Sequence, residues 1–267
     1  MSERVPAVLS IAGSDSGGGA GIQADLKAFA RCGVHGMTAI TALTAQSTIS
    51  VSGVHKVPGE FIVAQVRAVA EDIGIDAVKI GMLGDAATID AVLESLDLVA
   101  DAPVVVDPVM VAESGAVLLD PSARRALVER LLPRAAVATP NLLEARELSG
   151  LDEGSTAEEL ARAVHALGPA AVVVTGGHAD DGADVFFDGT TLERIGGPHH
   201  PPGASHGSGC THSSCLAARL ALGDGPLEAA RYARRIASDA VGAGLSEIGA
   251  GAGPVDALGI VGRADGA

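Results

Sequence analysis

The sequence predicts an α/β protein in which a mostly parallel β-sheet lies between two layers of helices, a three-layer αβα sandwich. Short apolar segments alternate along the chain with segments of helical periodicity, which is typical of β-α-β units. Polar residues directly follow the apolar segments, at the sheet edge where α/β proteins bind ligands. Because no linker and no repeat of fixed period divides the chain, we predict one domain over residues 1–267.

The first half of the chain alternates predicted strands with amphipathic helices. Apolar runs predict strands at Val5–Ala12, Met37–Thr44, Ile49–Val57, Asp76–Ile80 and Pro103–Val106. A helix from about Ile22 to Cys32 is predicted to end at Gly33, because glycine accepts the left-handed conformation of a helix C-terminus. Two further helices are predicted from apolar faces, comprising Ile62, Val66, Val69 and Ile73 after Pro58, then Ile89, Val92, Leu93 and Leu96.

The second half continues the alternation and adds a hairpin. Strands are predicted at Ala135–Thr139 and Ala170–Val174, and an antiparallel hairpin at Val185–Phe187 and Thr191–Ile195, around Asp188 and Gly189. Helices are predicted over Pro121–Leu132, from Asn141, after Ser155, from Cys210 and over Pro226–Val241. Ser155 and Glu158 have the spacing of a capping box. The Gly- and Ala-rich tail from Gly249 is predicted to be irregular.

Composition excludes several classes of function. The formal net charge of −15, the absence of Trp and the single Tyr argue against a nucleic-acid-binding protein, which needs basic surfaces and stacking rings. Three scattered cysteines do not form a disulfide framework and favour a reducing compartment. No apolar run reaches the roughly 18 residues of a membrane-spanning helix. We therefore expect a soluble, cytoplasmic protein that acts on small molecules.

The segment from His206 to Cys215 has the composition of an anion-binding turn. Gly207, Ser208 and Gly209 precede an alanine-rich helix, whose first N–H groups and dipole favour a bound phosphate. Cys210 lies within this turn, and we expect the same field to favour its thiolate and to lower its pKa. The alternatives are an ordinary turn before a helix with a buried cysteine, and a zinc site of Cys210, His212 and Cys215. Zinc is disfavoured because positions five apart on a helix point in divergent directions.

Two nucleotide-binding motifs are excluded or weakened. Gly19–Ala24 fits the dinucleotide fingerprint, but no Asp or Glu occurs between Asp25 and Glu60 to hold a ribose. The chain also contains no Gly-Lys-Ser or Gly-Lys-Thr, which excludes a P-loop. A dehydrogenase and a P-loop nucleotidase are therefore poor interpretations.

Oxygen ligands at the ends of predicted strands suggest a metal site. Asp107 ends one strand, while Asn141 and Glu144 open the helix after the next. Each has an ordinary interpretation, as a turn cap or as the capping residues of a helix. Together they favour a Mg²⁺–phosphate site. Gln46 has the amide donor and acceptor that suit an aminopyrimidine edge, although such a residue is more often part of a turn. An aspartate such as Asp25 usually lies on a solvated helix face, unless it points into the glycine loop.

Taken together, the motifs resemble the hydroxymethylpyrimidine/phosphomethylpyrimidine kinases of thiamin biosynthesis, in the ribokinase superfamily. The matching stretches span nearly the whole chain in order: Ser10–Asp15, Gly18–Lys27, Thr41–Gln46, Lys79–Leu83, Asp107–Met110, Thr139–Ala145, Gly176–His178, His206–Thr211 and Gly253–Val255. The resemblance implies a ribokinase-like fold. It also implies phosphorylation of 4-amino-5-hydroxymethyl-2-methylpyrimidine, and then of its monophosphate, by ATP with Mg²⁺.

The resemblance also implies roles for individual residues. The pyrimidine pocket would be formed by Gly13, Asp25, Gln46, Met82 and Val109, and the anion hole by Gly207 to Cys210. The nucleotide would contact Thr175, Gly177 and Thr211, and Mg²⁺ would lie near Asp107, Asn141 and Glu144. Most ribokinase relatives have a catalytic Asp where this chain has Cys210, the expected base for the hydroxymethyl proton.

One departure from the family pattern concerns charge. Many members have a lysine before the Gly-Gly-His, and this chain has Thr175, so one cation for the ATP phosphates is missing. The fold's relatives are often homodimers, and we expect one here. Two rival functions are a pyridoxal-type kinase of the same superfamily and a non-catalytic pyrimidine-binding protein that has kept the fold.

Overall fold

The computed structural model describes residues 4–111, 119–176, 182–198, 200 and 203–261. Its centre is a nine-stranded sheet in the order β3-β2-β1-β4-β5-β6-β7-β8-β9. The strands are β1 Ala7–Asp15, β2 His35–Gln46, β3 Val51–Lys56, β4 Ala77–Ile80, β5 Val104–Val106, β6 Val137–Ala138, β7 Val172–Val174, β8 Asp184–Phe187 and β9 Leu192–Ile195. Six neighbouring strands of the sheet run parallel: β2, β1, β4, β5, β6 and β7. The edge strand β3 and, at the other edge, the β8–β9 hairpin are antiparallel.

Within the described residues, eight α-helices cover the two faces of the sheet. They are α1 Gly21–Cys32, α2 Gly59–Asp72, α3 Ala86–Asp97, α4 Pro121–Ala126, α5 Leu142–Ser149, α6 Ala157–His165, α7 Ser208–Ala221 and α8 Pro226–Gly242. Alternate residues of the strands point to opposite faces, so Leu9 and Val78 belong to one core cluster while Val8 and Ala77 belong to the other. The first cluster is covered by α2 to α6 and the second by α1, α7 and α8. The predicted three-layer architecture is therefore confirmed.

Helix boundaries differ from the prediction at three places. The helix after the anion-binding turn begins at Ser208, two residues before Cys210, because Gly207 takes the left-handed conformation at φ 86°. The capping box lies one residue later than predicted, where Thr156 Oγ1 accepts from the Glu159 amide at 3.2 Å. The helix predicted over Pro121–Leu132 ends as an α-helix at Ala126 and continues as a π-helical turn to Leu131.

Strand bounds also shift by one to three residues, as in β6, which is Val137–Ala138 where the sequence predicts Ala135–Thr139. Two other features agree with the prediction. Gly33 ends α1 in the left-handed conformation at φ 77°, as its position predicts. The hairpin pairs Asp184 with Ile195 and Phe187 with Leu192. Over the described residues, none of the helices combines the length and the apolarity that crossing a membrane requires.

Candidate active site

A cavity of about 680 Å³ lies at the carboxyl ends of the parallel strands. This is where parallel sheets bind ligands. Twelve of the residues predicted from the sequence line it: Gly13, Gln46, Met82, Asp107, Val109, Asn141, Glu144, Thr175, Gly207, Ser208, Gly209 and Cys210. Thr211 is buried beneath the cavity wall, and Gly177 is outside the described residues. The fold thus gathers segments that are far apart in sequence around one space.

The anion-binding turn is supported by a second glycine loop. A Cβ atom on Gly207 would lie 1.8 Å from the carbonyl oxygen of Gly19, so no side chain fits at this position. Ser208 N donates to the Ser205 carbonyl, which leaves the amides of Gly209 and Cys210 at the start of α7 without a helical acceptor. These two N–H groups, rather than that of Ser208, are the donors that the turn offers to an anion.

Asp15 holds the two loops together. Its Oδ2 accepts from Gly19 N at 3.1 Å and from Ala20 N at 2.9 Å, and lies 2.9 Å from His206 Nε2. Burial alone would raise the pKa of Asp15, but the hydrogen bonds from His206 and the loop amides outweigh it and lower that pKa. Asp15 therefore stays ionised and fixes the loop that supports Gly207.

The structure corrects the expected ionisation of Cys210. Burial raises the pKa of this thiol to about 12, and the carboxylates of Asp25 and Asp107 act in the same direction. The ammonium of Lys79 and the N–H of Gly21 lower the pKa only in part. The effect of desolvation, which raises the pKa of the thiol, therefore outweighs that of the helix N-terminus, which lowers it. In the free protein at neutral pH, Cys210 is a neutral thiol.

Asp25 is buried behind the cavity wall and does not line the cavity, which corrects its predicted contact with the pyrimidine. Its Oδ1 accepts from Lys79 Nζ at 2.9 Å and from Ser214 Oγ at 2.8 Å, and its Oδ2 accepts from Ser10 Oγ at 2.6 Å. These bonds occupy both carboxylate oxygens. Asp25 therefore anchors Lys79, which does line the cavity.

Lys79 is the buried cation of the site. Its side chain is fully buried, and Nζ also lies 3.9 Å from Asp107 Oδ2. Burial alone would lower the pKa of Lys79, but the charges of Asp25 and Asp107 outweigh it and raise that pKa above its ordinary value. Lys79 is therefore charged, and it joins two carboxylates beneath the anion-binding turn.

The predicted metal ligands lie together on the cavity wall. Asn141 and Glu144 form a capping box, in which Asn141 Oδ1 accepts from Glu144 N at 2.9 Å and Glu144 Oε2 accepts from Asn141 N at 3.0 Å. Both the structural and the metal interpretations thus remain compatible with these two residues. Burial and the charge of Asp107 raise the pKa of Glu144 to about 8, which marks a place deficient in positive charge.

These residues fit a Mg²⁺ ion for which the protein supplies only some of the ligands. Among the described residues, no group of three or more His, Cys, Asp and Glu side chains is placed to enclose a metal. Asp107 Oδ2 also accepts from Ser213 Oγ at 3.0 Å, which leaves few free oxygens. Mg²⁺ is typically held by one or two carboxylates and by substrate phosphates, and Asp107 and Glu144 suit that arrangement.

The other predicted pocket residues lie towards β1 and β2. A Cβ atom on Gly13 would lie 2.4 Å from Met82 Cε, so the glycine lets the methionine cover the strand end. Thr44 Oγ1 donates to Gln46 Oε1 at 3.2 Å, which orients the amide at the end of β2. This part of the cavity therefore combines an apolar thioether with an oriented amide.

A family model described as Phosphomethylpyrimidine kinase matches residues 15–256. The chain belongs to the phosphomethylpyrimidine kinase family. Membership confirms the family that the sequence motifs resemble, and it confirms the predicted enzyme class, a pyrimidine kinase of thiamin biosynthesis. The anion-binding turn, Lys79 and Asp107 lie inside the matched range.

Three similar proteins illustrate the relationship. The hydroxymethylpyrimidine/phosphomethylpyrimidine kinase of Streptomyces coelicolor is 45% identical over 254 residues, which cover 94% of each chain. The thiamine biosynthesis bifunctional protein ThiED of Geobacter sulfurreducens is 46% identical over 93% of this chain, which spans only 51% of that protein. Bacillus subtilis pyridoxal kinase, solved as an ADP complex, superposes with a TM-score of 0.88 at 37% identity, covering 97% of this chain and 99% of that one. Such neighbours confirm the ribokinase-like fold.

Several residues of the site were not singled out from the sequence. These are Lys79, Asp15, His206 as the partner of Asp15, Asp184, His212 as the partner of Asp184, and Arg234. Lys79 and Asp184 had a usable signal, because each is a charged residue inside or beside an apolar strand run. Arg234 had none, since a helix with many arginines gives no sign of which one faces a cavity.

Proposed function

We propose that the protein transfers the γ-phosphoryl group of ATP to the hydroxymethyl group of 4-amino-5-hydroxymethyl-2-methylpyrimidine, and then to the resulting monophosphate. The observation that carries the proposal is the pair of free amides at Gly209 and Cys210. They lie in one cavity, between the Gln46–Met82 region on one side and Asp107 after β5 and Glu144 of α5 on the other. Phosphoryl transfer depends on positioning and on charge neutralisation, and this arrangement offers both.

In the proposed mechanism, the pyrimidine lies between Gly13, Gln46, Met82 and Val109. Its hydroxymethyl oxygen points to Cys210 and to the anion hole. The amides of Gly209 and Cys210, with the ammonium of Lys79, stabilise the negative charge of the migrating phosphoryl group. When bound, Mg²⁺ near Asp107 and Glu144 supplies further charge neutralisation. The nucleotide lies across Thr175, and the predicted contact with Thr211 is replaced by an indirect one, because Thr211 is buried beneath the cavity wall. The protein acts as a homodimer in the cytoplasm, and light scattering of the purified chain tests the dimer.

Because Cys210 is a neutral thiol in the free protein, it affects the two phosphorylation steps differently. In the first step the attacking hydroxyl group loses a proton, which a Cys210 thiolate accepts. With a pKa of about 12, only about one molecule in 10⁵ holds this thiolate at pH 7. In the second step the attacking phosphate oxygen is already anionic, so no base is required. A neutral thiol also repels the phosphorylated substrate less than a carboxylate would.

A coupled assay of ADP formation with each pyrimidine substrate tests the proposal, with pyridoxal as the competing substrate. The likeness to a pyridoxal kinase makes pyridoxal the specific rival, since that ring also carries a hydroxymethyl group. We expect a higher kcat/KM for the hydroxymethylpyrimidine. Faster turnover of pyridoxal would overturn the choice of substrate, and pyrimidine binding without ADP formation would instead support the non-catalytic alternative.

Replacing Cys210 by alanine is expected to slow the first phosphorylation about a hundredfold and to leave the second nearly unchanged, because only the first needs a base. Both rates are measured on purified protein with saturating ATP. Cys32→Ala is the matched control, since Cys32 is half-buried at the end of α1 and away from the cavity. An equal loss in both steps would contradict the role of Cys210 as a base.

The rate ratio of the two steps is expected to rise with pH. Below its raised pKa, the thiolate fraction of Cys210 increases about tenfold for each pH unit. The first step should follow this increase between about pH 6.5 and pH 8.5, whereas the second should not. Because Glu144, with its pKa of about 8, ionises in the same pH range, the ratio is also measured in Glu144→Gln, where that titration is absent. A ratio that is independent of pH would exclude the thiolate mechanism.

A further inference from the structure

Three charged or titratable side chains line the cavity at the end away from Gln46. Asp184 begins β8, His212 lies in the second turn of α7, and Arg234 lies in α8. His212 Nε2 is 3.1 Å from Asp184 Oδ2, and Arg234 Nε is 3.9 Å from Asp184 Oδ1. The side chains are 5%, 2% and 13% exposed for His212, Asp184 and Arg234. None of the three takes part in the mechanism described above.

Polar atoms without hydrogen-bond partners concentrate in this cluster. Among the described residues, seven buried side-chain N or O atoms lack a partner, and four of them are Asp184 Oδ2, His212 Nδ1, His212 Nε2 and Arg234 Nε. The contact of His212 with Asp184 is close, but it is not aligned as a hydrogen bond. An unpaired buried polar group destabilises the free protein, so a concentration of such groups beside a cavity points to a ligand.

The guanidinium of Arg234 is fixed in position, but not all of its N–H donors are occupied. Its Nη2 donates to the Gly182 carbonyl at 2.5 Å, and Gly197 packs closely against it. Asp184 is itself held, because its Oδ1 accepts from Gly176 N at 2.9 Å. Nη1 makes no hydrogen bond within the described parts of the chain. A fixed guanidinium with free donors is suited to a phosphate group.

The position of the cluster indicates which ligand it serves. Sheet order places β8 six strands from β2, with the anion-binding helix α7 packed against β1, β4 and β5 between them. At about 4.8 Å per strand, the cluster and Gln46 lie at opposite ends of the strand row. The anion hole between them receives the migrating phosphoryl group, so the donor of that group extends towards Arg234.

We propose that Arg234 and His212 bind the phosphate chain of the nucleotide beyond the group that is transferred, with Asp184 as the residue that positions both. This inference rests on the proposed function for the direction in which the nucleotide lies. The guanidinium disfavours a metal ion and favours an anion. The carboxylate of Asp184 lies between His212 and Arg234 and fixes both side chains beside the cavity.

Binding measurements on the full chain test this inference. Arg234→Met is compared with Arg235→Met, the matched control, because Arg235 is the next residue of α8 and its guanidinium lies over the Tyr232 ring at 4.8 Å. Calorimetry measures the Kd of ATP, adenosine and inorganic tripolyphosphate for each protein, and thermal unfolding confirms that each variant is folded. The KM values for ATP and for the pyrimidine are measured in parallel.

We expect Arg234→Met to weaken ATP and tripolyphosphate binding about tenfold or more, while adenosine binding and the KM for the pyrimidine stay unchanged. Arg235→Met should change none of these. Equal ATP affinity in Arg234→Met and wild type would overturn the inference, and so would an equal loss for adenosine, which would show a structural role. If the wild type fails to phosphorylate pyrimidine, the proposed function fails, yet the contrast between tripolyphosphate and adenosine still decides the role of Arg234.

Discussion

Replacing Lys79 by methionine is expected to lower the free energy of unfolding by about 3–5 kcal/mol. The ammonium of Lys79 lies 2.9 Å from Asp25 and 3.9 Å from Asp107, with all three side chains nearly or fully buried. Methionine keeps most of the volume but removes the charge. Two carboxylates would then remain in a low-dielectric region without their cation, and one or both must take up a proton.

Thermal unfolding measures this effect. For a chain of this length a loss of that size lowers Tm by roughly 10 °C. Lys56→Met is the matched control, because Lys56 pairs with Asp85 at 2.6 Å on the surface, where an ion pair contributes about 0–1 kcal/mol. The double variant Lys79→Met/Asp25→Asn should recover part of the loss, since it removes one uncompensated charge. A Tm like that of Lys56→Met would contradict the view that Lys79 organises the buried charges.

Lys79 also shows which features can be predicted from the sequence and which cannot. Its strand is recognisable from Ala77, Val78 and Ile80, and the strand's place in the fold follows from alternation. Its partners do not, because Asp25 is 54 residues away in sequence and meets Lys79 only when α1 packs on the sheet. A buried lysine is a signal of pairing, but the identity of the partner is a property of the tertiary structure.

Cys210 shows a second limit, which concerns the balance of two physical effects. The glycines correctly predict a turn followed by a helix at this position, and anion binding by that turn stays a prediction. The same features suggest a lowered pKa for the thiol, whereas burial raises it to about 12. Desolvation depends on how much of the folded chain surrounds the sulfur. A local motif gives the dipole and cannot give the depth of burial.

Local signals were sufficient where one residue decides the conformation. Gly33 ends α1 because only a few residues tolerate a positive φ there, and Asn141 with Glu144 begins α5 through neighbouring backbone groups. The position of the cavity followed from a general rule for parallel sheets and needed no knowledge of partners. By contrast, Arg234 faces the cavity only because of the rotation of α8 about its axis. That rotation cannot be predicted from the sequence, because α8 contains several arginines and any of them could face the cavity.

Replacing Gly207 by alanine is expected to lower kcat for both phosphorylation steps by roughly 10²–10³, the loss typical of removing an oxyanion-hole donor. The new Cβ would lie 1.8 Å from the Gly19 carbonyl oxygen, so the turn or the glycine loop must move. Either movement displaces the amides of Gly209 and Cys210 from the phosphoryl group. The rates of both steps are measured, because this loss, unlike that of Cys210→Ala, does not depend on a base.

Gly223→Ala separates this steric effect from backbone strain. Gly223 follows the same helix at φ 94°, so alanine there meets the same left-handed penalty of about 1 kcal/mol, but its Cβ would have no other atom within 4 Å. We expect both variants to carry this strain penalty, and Gly207→Ala to lose further stability through the close contact with Gly19. Only Gly207→Ala is expected to lose activity. An equal loss of activity would mean that strain anywhere along α7 disturbs catalysis. Full activity in Gly207→Ala would contradict the prediction that the amides at the start of α7 bind the phosphoryl group.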